Sequence, residues 1–325
     1  MRLSWTQAQA AASRLLQEWG YDAEDAAYIA RHLLTCDALG LSGLGLTRLQ
    51  LIRDILDSGA SVGDHTAVLH TTPTTRSFTG GGGIGYLTTR ACFTWAMHHL
   101  RNGTPLVAFT ANQFFLNGAL RIYARQAAEH GYVCLMVSSS APAAVAPFAG
   151  TQPVLGTNPI CIGVPAAGDP VVVDLSTSAS TWSDINRAAA KQQPLPEGIA
   201  IDRSGMPTRN AEEALRGALL PWGGERGYAL SVAVQCLGIL AGASPSPRSM
   251  ADCGLFGVVL DPAVFGRESP LASVDDLRRA ISASASSDEG CRLPGQGWSQ
   301  RLELAQQQPR AVDEEAAALL LPFLH

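Results

Sequence analysis

The chain has 325 residues, 46 % hydrophobic and 16 % charged, with a formal net charge of −5. That is the composition of a folded globular protein and not of a disordered one. The absence of a basic tail or stripe excludes a general binder of nucleic-acid backbones, and no apolar run reaches the roughly 18 residues of a membrane span.

Met1 to Gln7 leads straight into an amphipathic pattern without a signal-peptide core, and the seven cysteines form no C-x-x-C pair. A reducing cytoplasm, no disulfide framework and no metal site are therefore expected. Residues 6–20 and 22–39 read as helices, with Ala, Leu and aromatic side chains at helical spacing, Asp22 as N-cap and Gly20 and Gly40 as stops. A third helix is expected over 47–58. Gly80 to Gly85 lacks the preceding strand and the following Lys-Ser/Thr of a phosphate loop. It reads as a flexible turn into a helix from Leu87 to Arg101. His98 and His99 on that helix diverge by about 100° and do not chelate as a pair.

Next come a strand over 105–110, a loop carrying Asn112, Gln113, Leu116 and Asn117, a helix to His130 and a strand over 132–137. Ser138-Ser139-Ser140 and a small-residue loop lead to Gly156-Thr157-Asn158-Pro159. The apolar run Val171-Val172-Val173 then delivers Asp174, Leu175, Ser176, Thr177 and Ser178 to a loop. Asp202 reads as a turn carboxylate before Ser204-Gly205. Pro221-Trp222-Gly223-Gly224-Glu225-Arg226-Gly227-Tyr228 is a glycine-rich turn that carries one cation into a helix start. A core helix over 229–243, an exposed loop at 244–248, a strand from Leu255, a helix through 274–279, a polar loop over 282–290 and a last helix over 313–321 complete the chain.

In that order and spacing, the segments 156–159, 171–178, 195–198 and 217–228 resemble the non-Rossmann malate/L-lactate dehydrogenase family. Its relatives include ureidoglycolate dehydrogenases and reductases of cyclic imino acids. The resemblance extends over about residues 5 to 320. It implies an α/β fold with a helical N-terminal and dimerisation region (1–75) and a mixed-sheet core (76–325). An NAD(P)-binding segment is expected over about 120–300. It further implies NADPH or NADH as cofactor, a homodimer and a small-molecule substrate. Residues matching Ser140, Asp174, Leu175, Ser176, Arg226, Gly227, Arg292 and Pro294 would contact the cofactor. Asp174 would accept from a ribose hydroxyl. Arg226, Arg248 or Arg292 would meet a 2′-phosphate, if there is one.

The sequence departs from the family at the chemistry. In the Ser-His-Gly-x-x-Arg segment Arg48 is kept, but Leu44 takes the histidine position and Gly43 the serine position. The family's second histidine falls on Leu116, and no histidine occurs between His99 and His130. Ser183-Asp184 stands where relatives commonly have Gly-Lys. Hydride transfer to a carbonyl leaves an alkoxide-like oxygen, and a positioned acid is worth about 10²–10⁴-fold there. Three readings follow: reduction of a C=N group, which can enter already protonated; other nicotinamide chemistry on an apolar substrate; or ligand binding without hydride transfer. Arg48 would hold a substrate carboxylate. Asn112, Gln113 and Asp202 would supply further polar chemistry, and Leu44, Leu116, Asn117, Thr157 and Asn158 would line the pocket.

Overall fold

The computed structural model describes residues 1–245, 247–266, 271–284 and 291–324. After a short strand β1 (Arg2–Leu3), helix α1 (Trp5–Glu18) starts at a capping box. Ser4 Oγ accepts from the Gln7 N–H, and Gln7 Oε1 accepts from the Ser4 N–H. Helix α2 (Ala23–Ala38) starts at Asp22, whose side chain accepts from the Asp25 N–H. Helix α3 (Arg48–Asp57) completes the helical start.

The main sheet is built from β2 (Ala67–Thr71), β3 (Thr75–Ile84), β4 (Leu106–Phe115), β5 (Val133–Ser139), β6 (Ile160–Val164), β7 (Val171–Leu175) and, later in the chain, β10 (Gly254–Leu260). Helix α4 (Gly85–Arg101) lies between β3 and β4, and α5 (Leu120–Glu129) between β4 and β5. After β7 come α6 (Trp182–Ala190), β8 (Ala200–Ile201), α7 (Ala211–Arg216), β9 (Ala218–Leu219) and α8 (Glu225–Leu240). Beyond β10 the chain adds α9 (Leu271–Ala283), α10 (Trp298–Gln307), β11 (Arg310–Ala311) and α11 (Glu314–Leu320).

The sheet order is β2-β3-β4-β10-β5-β6-β7. β10 runs antiparallel to both β4 and β5, so these two point the same way. Gly254 stands opposite both Asn112 and Ser139, and Ile160 opposite both Val137 and Leu175. The ends of β4, β5 and β7 and the starts of β6 and β10 therefore meet at one edge. Ligands of open α/β sheets collect beyond such strand ends.

One face of the sheet, with Val107, Phe109, Met136, Leu255 and Val259, is buried with α4 and α5 in the main core. Helix α8 lies on the other face. It packs so closely that a Cβ on Gly238 would stand 2.2 Å from Ser139 Oγ. A second core joins α1, α2, α3 and the start of α4 to Ala316 and Leu320 of α11. A third, smaller cluster holds Ile185 of α6, Ala211 of α7 and Leu219 of β9.

Several boundaries differ from expectation. The cut at residue 75 falls inside the β2–β3 hairpin, because β2 pairs with the main sheet, and the C-terminal helix packs with the N-terminal ones. The glycine run is strand and not turn. It forms the end of β3, with Gly81 at φ +56° and Gly82 at φ +78° making an irregularity against β4. Strand β4 runs on to Phe115, so Asn112 and Gln113 are strand residues. Part of the polar stretch expected over 282–290 lies outside the described residues. Five of the seven cysteines (36, 92, 134, 161 and 253) are buried. Among the described residues, no helix is long and apolar enough to cross a membrane.

Candidate active site

At the edge where the strands end, one buried amide ties three segments together. Asn158 is fully buried and adopts φ +42°, a left-handed conformation that asparagine tolerates. Its Oδ1 accepts from the Ser140 N–H (3.1 Å), and its own N–H donates to Ser140 Oγ (3.1 Å). Its Nδ2 donates to the Ser231 carbonyl, Ser231 Oγ and Gln235 Oε1, all within 3.2 Å. Ser140 Oγ also meets Thr157 Oγ1 at 2.9 Å, and the Thr157 carbonyl accepts from Ser176 Oγ and Thr177 Oγ1. The small hydroxyls after β5, before β6 and after β7 thus form one connected network on the α8 scaffold.

Asp174, at the end of β7, is held by Arg121 from the first turn of α5. Its Oδ2 accepts from Arg121 Nε (2.9 Å) and from the Arg121 N–H (3.2 Å), and its carbonyl accepts from Arg121 Nη2. The side chain is 11 % exposed. The expected ribose acceptor is therefore already engaged through Oδ2 in a structural ion pair. Leu175 points the other way and is exposed, while Ser176 stays in the network.

Arg48 opens α3. Its Nε donates to the Gly43 carbonyl (2.7 Å) and its Nη2 to Ser183 Oγ at the start of α6 (3.1 Å). Ser183, where the resemblance implies a glycine, is thus a partner of Arg48. Leu46 N–H donates to Asp37 Oδ2, and a Cβ on Gly45 would fall 1.8 Å from Asp37 Oδ1, so this turn closes only with glycine there. The Cys36 thiol, pushed up mainly by burial, lies in the combined field of Asp37, Arg121, Arg48 and Asp174.

Leu116 occupies the turn after β4 at φ +43°, with Gly118 following at φ +71°. Leucine seldom adopts that conformation, whereas Asn, Asp and His are enriched in it. Leu116 packs against the N-terminal core, and Asn117 Nδ2 donates to Ser138 Oγ at 3.0 Å. Beneath this turn, the Ala119 N–H donates to Nε2 of the buried His32 (3.0 Å), and a Cβ on Gly118 would stand 2.4 Å from that atom. Tyr86 meets the His32 ring edge-on at 4.9 Å, and Nδ1 has no hydrogen-bond partner among the described residues. Burial drives the His32 pKa down to about 3. The ring is neutral at physiological pH, with its only acceptor spent on the backbone, so it supplies no proton to the cleft.

This has a measurable consequence. The unfolded chain takes up a proton at His32 below about pH 6.5 and the native state refuses it, so stability falls with pH by about 1.4 kcal/mol per unit in that range. Asp37 acts oppositely. Desolvation raises its pKa to about 6, so the native state keeps a proton that the unfolded chain loses near pH 4. Its effect makes stability fall as pH rises through that window. The two separate in a difference experiment. Between pH 7 and 5 the wild type is expected to lose about 2 kcal/mol more than His32→Gln in urea unfolding. Parallel pH curves would contradict the buried neutral histidine.

Arg226 sits at the start of α8 beyond Gly223 and Gly224, which adopt φ +62° and +66°. A Cβ on Gly227 would strike the Trp222 carbonyl at 2.0 Å. A groove of about 400 Å³ runs along this turn, lined by Phe148, Ala179, Leu220, Pro221, Gly223 and Gly224. Arg226, which does not line the groove, is exposed at the helix start, whose open N–H groups favour a phosphate. These residues suit the diphosphate of a dinucleotide. Arg292 and Pro294 are exposed beside β7, where the Pro294 carbonyl accepts from the Val172 N–H.

The remaining expected residues are elsewhere. Asn112 Nδ2 donates to the Ala241 carbonyl at the end of α8, and Gln113 is exposed, at φ +53°, accepting from Thr79 Oγ1. Both serve strand and helix ends and not the hydroxyl network. Asp202 is the turn carboxylate. Its Oδ1 accepts from the Ser204 and Met206 N–H groups and from Ser204 Oγ, bonds that hold its pKa low. Sequence reading missed Arg121, Ser231 and Gln235. A lone glutamine four residues after a serine, in an otherwise apolar helix, was the available signal for the last two.

With this arrangement in place, the chain belongs to the malate/L-lactate dehydrogenase family, whose model matches residues 3–320. Members of this family are NAD(P)-dependent dehydrogenases and reductases. The chain is 35 % identical over 299 residues to the L-lactate dehydrogenase of Cupriavidus necator, covering 86 % of this chain and 84 % of that one. It is 28 % identical over 333 residues to the L-sulfolactate dehydrogenase of Methanothermobacter thermautotrophicus, covering 99 % and 96 %. The solved delta1-piperideine-2-carboxylate reductase of Pseudomonas syringae matches with a TM-score of 0.89 at 25 % identity over 99 % of each chain.

Proposed function

We propose that the protein is an NAD(P)H-dependent reductase of a C=N bond in a cyclic imino acid. One observation carries this reading. Arg48 commits its Nε and Nη2 and, among the described residues, has no partner shown for Nη1, while both positions at which the family resemblance places a histidine are leucines and the buried His32 is neutral and occupied. Such a site binds a carboxylate and offers no acid for an alkoxide. An iminium substrate needs none, since it arrives protonated from water and becomes a neutral amine once a hydride reaches its carbon.

In this reading Arg48 holds the substrate carboxylate through charge-assisted hydrogen bonds, and Leu44 and Leu116 exclude water from the reacting carbon. Ser140, Thr157 and Ser176 present hydroxyls beside the nicotinamide half of the cofactor, and Arg226 with the α8 start holds its diphosphate. The reduced nicotinamide supplies the hydride when bound. The match to a piperideine-2-carboxylate reductase over 99 % of each chain supports the substrate class.

Titration with NADPH and NADH, followed by nicotinamide fluorescence and heat, tests the cofactor half. Saturable binding of one is expected, weakened about tenfold in Arg226→Gln, the worth of one charge-assisted contact. A folded protein that binds neither would remove the redox reading.

A further inference from the structure

The last turn of α2 carries an acid where two effects disfavour one. Asp37 is the penultimate residue of that helix, and the negative end of a helix dipole repels a carboxylate. Desolvation also works against its charge and lifts its pKa to about 6. Arg310 of β11 helps only in part. Its Nη1 donates to the Asp37 carbonyl (3.2 Å), while Asp313 at the start of α11 opposes it. An acid held against burial and dipole at once breaks a local rule, and such breaks collect where a side chain has a particular task.

Here the task is a contact with the turn before α3. Asp37 Oδ2 accepts from the Leu46 N–H (3.0 Å), and Oδ1 lies so close to Gly45 that a Cβ would not fit there. The Gly45 and Leu46 carbonyls accept from the Arg48 and Leu49 N–H groups (2.9 and 3.0 Å), the bonds with which α3 begins. Arg48 then returns to the other end of the turn, its Nε donating to the Gly43 carbonyl at 2.7 Å. The two residues that Asp37 touches are thus the two on which the backbone of α3 starts. Ser183 Oγ, from α6, adds one contact to the guanidinium tip.

We propose that Asp37 is the positioning residue that aims Arg48 at the substrate carboxylate, acting through the backbone of Gly45 and Leu46 and without touching the ligand. This rests on the reading of Arg48 as the carboxylate anchor. Leu44 lies inside the same turn, its N–H donating to the Leu41 carbonyl at 2.8 Å, so Asp37 places it as well. Without the carboxylate the Leu46 N–H loses its partner and the turn is free to swing. Arg48 then meets the substrate off its line, and small errors of placement are costly to a charge-assisted pair. The cofactor groups Ser140, Thr157 and Arg226 stand on other segments, so their grip is unaffected.

The heat of binding of furan-2-carboxylate, a flat cyclic anion with no C=N bond, to protein saturated with NAD(P)H tests this without turnover. Arg48→Ala is expected to weaken binding about 30-fold, the worth of a charge-assisted contact. Asp37→Leu, which fills the same space with no acceptor, is expected to weaken it about tenfold. Asp37→Asn restores the acceptor and should bind within about twofold of the wild type. NAD(P)H affinity should be unchanged in both Asp37 variants, which a general loss of structure would not allow. If the leucine variant does not fold, Asp37→Ala, which admits water to the Leu46 N–H, gives the same comparison. Wild-type binding by Asp37→Leu beside a weakened Arg48→Ala overturns the proposal and leaves the anchor standing. Equal losses in Asp37→Leu and Asp37→Asn also overturn it, since the acceptor would then not matter. An Arg48→Ala that binds as the wild type does removes the anchor, and the proposal with it.

Discussion

Replacing Asn158 by alanine is expected to lower the unfolding free energy by about 4 kcal/mol. The variant leaves the Ser140 N–H, the Ser231 carbonyl and Gln235 Oε1 without a shared partner in a fully buried site, and each orphaned group costs about 1–3 kcal/mol. Alanine also pays for the φ of +42° that asparagine tolerates. Water entering the vacated space recovers part of the loss. Asn158→Asp should fare no better. It keeps the acceptor for Ser140 but turns a carboxylate oxygen towards two obligate acceptors, the Ser231 carbonyl and Gln235 Oε1. Urea unfolding measures both, and a loss under 1 kcal/mol would show that the network contributes little. Because Asn158 positions Ser140, affinity for NAD(P)H should fall in parallel.

The second large effect is a gain. Leu44→His/Leu116→His should acquire reduction of 2-oxo acids, raised by about 10²–10⁴-fold over the wild type, the usual worth of a positioned acid. The backbone at Leu116 already has a left-handed shape that suits histidine. If Arg48 holds the carboxylate as proposed, the carbonyl oxygen would now meet a donor. The single variants separate the two positions. No gain in a folded double variant that still binds NAD(P)H would mean that the cleft no longer presents a substrate to these positions.

Much of this was legible in the sequence because the signals were local. Ser4 and Asp22 cap the first helices as their residue types predict, and Leu44 and Leu116 stand where the family resemblance implies histidines. The misreadings also have physical causes. The Gly80–Gly83 run has no side chains to show a period of two, so strand β3 looked like a turn. Asn112 and Gln113 alternate across β4, and nothing local distinguishes a side chain that caps a distant helix from one that faces a cleft. Asp174 was placed correctly at a strand end, but Arg121, 53 residues away, engages it only through the tertiary fold. The short elements α6, α7, β8 and β9 depend on their own small cluster and carry little pattern.

The most direct measurement is the initial rate of NAD(P)H oxidation by the wild type with a cyclic imino acid, set beside the rate with the matching open-chain 2-oxo acid. A site with Arg48, two leucines and a neutral His32 predicts turnover of the imine at least about 10²-fold above that of the oxo acid, with activity falling at high pH as the iminium loses its proton. Equal turnover of both substrates, or turnover of the oxo acid alone, would contradict it and would require a proton donor other than the groups described at this cleft.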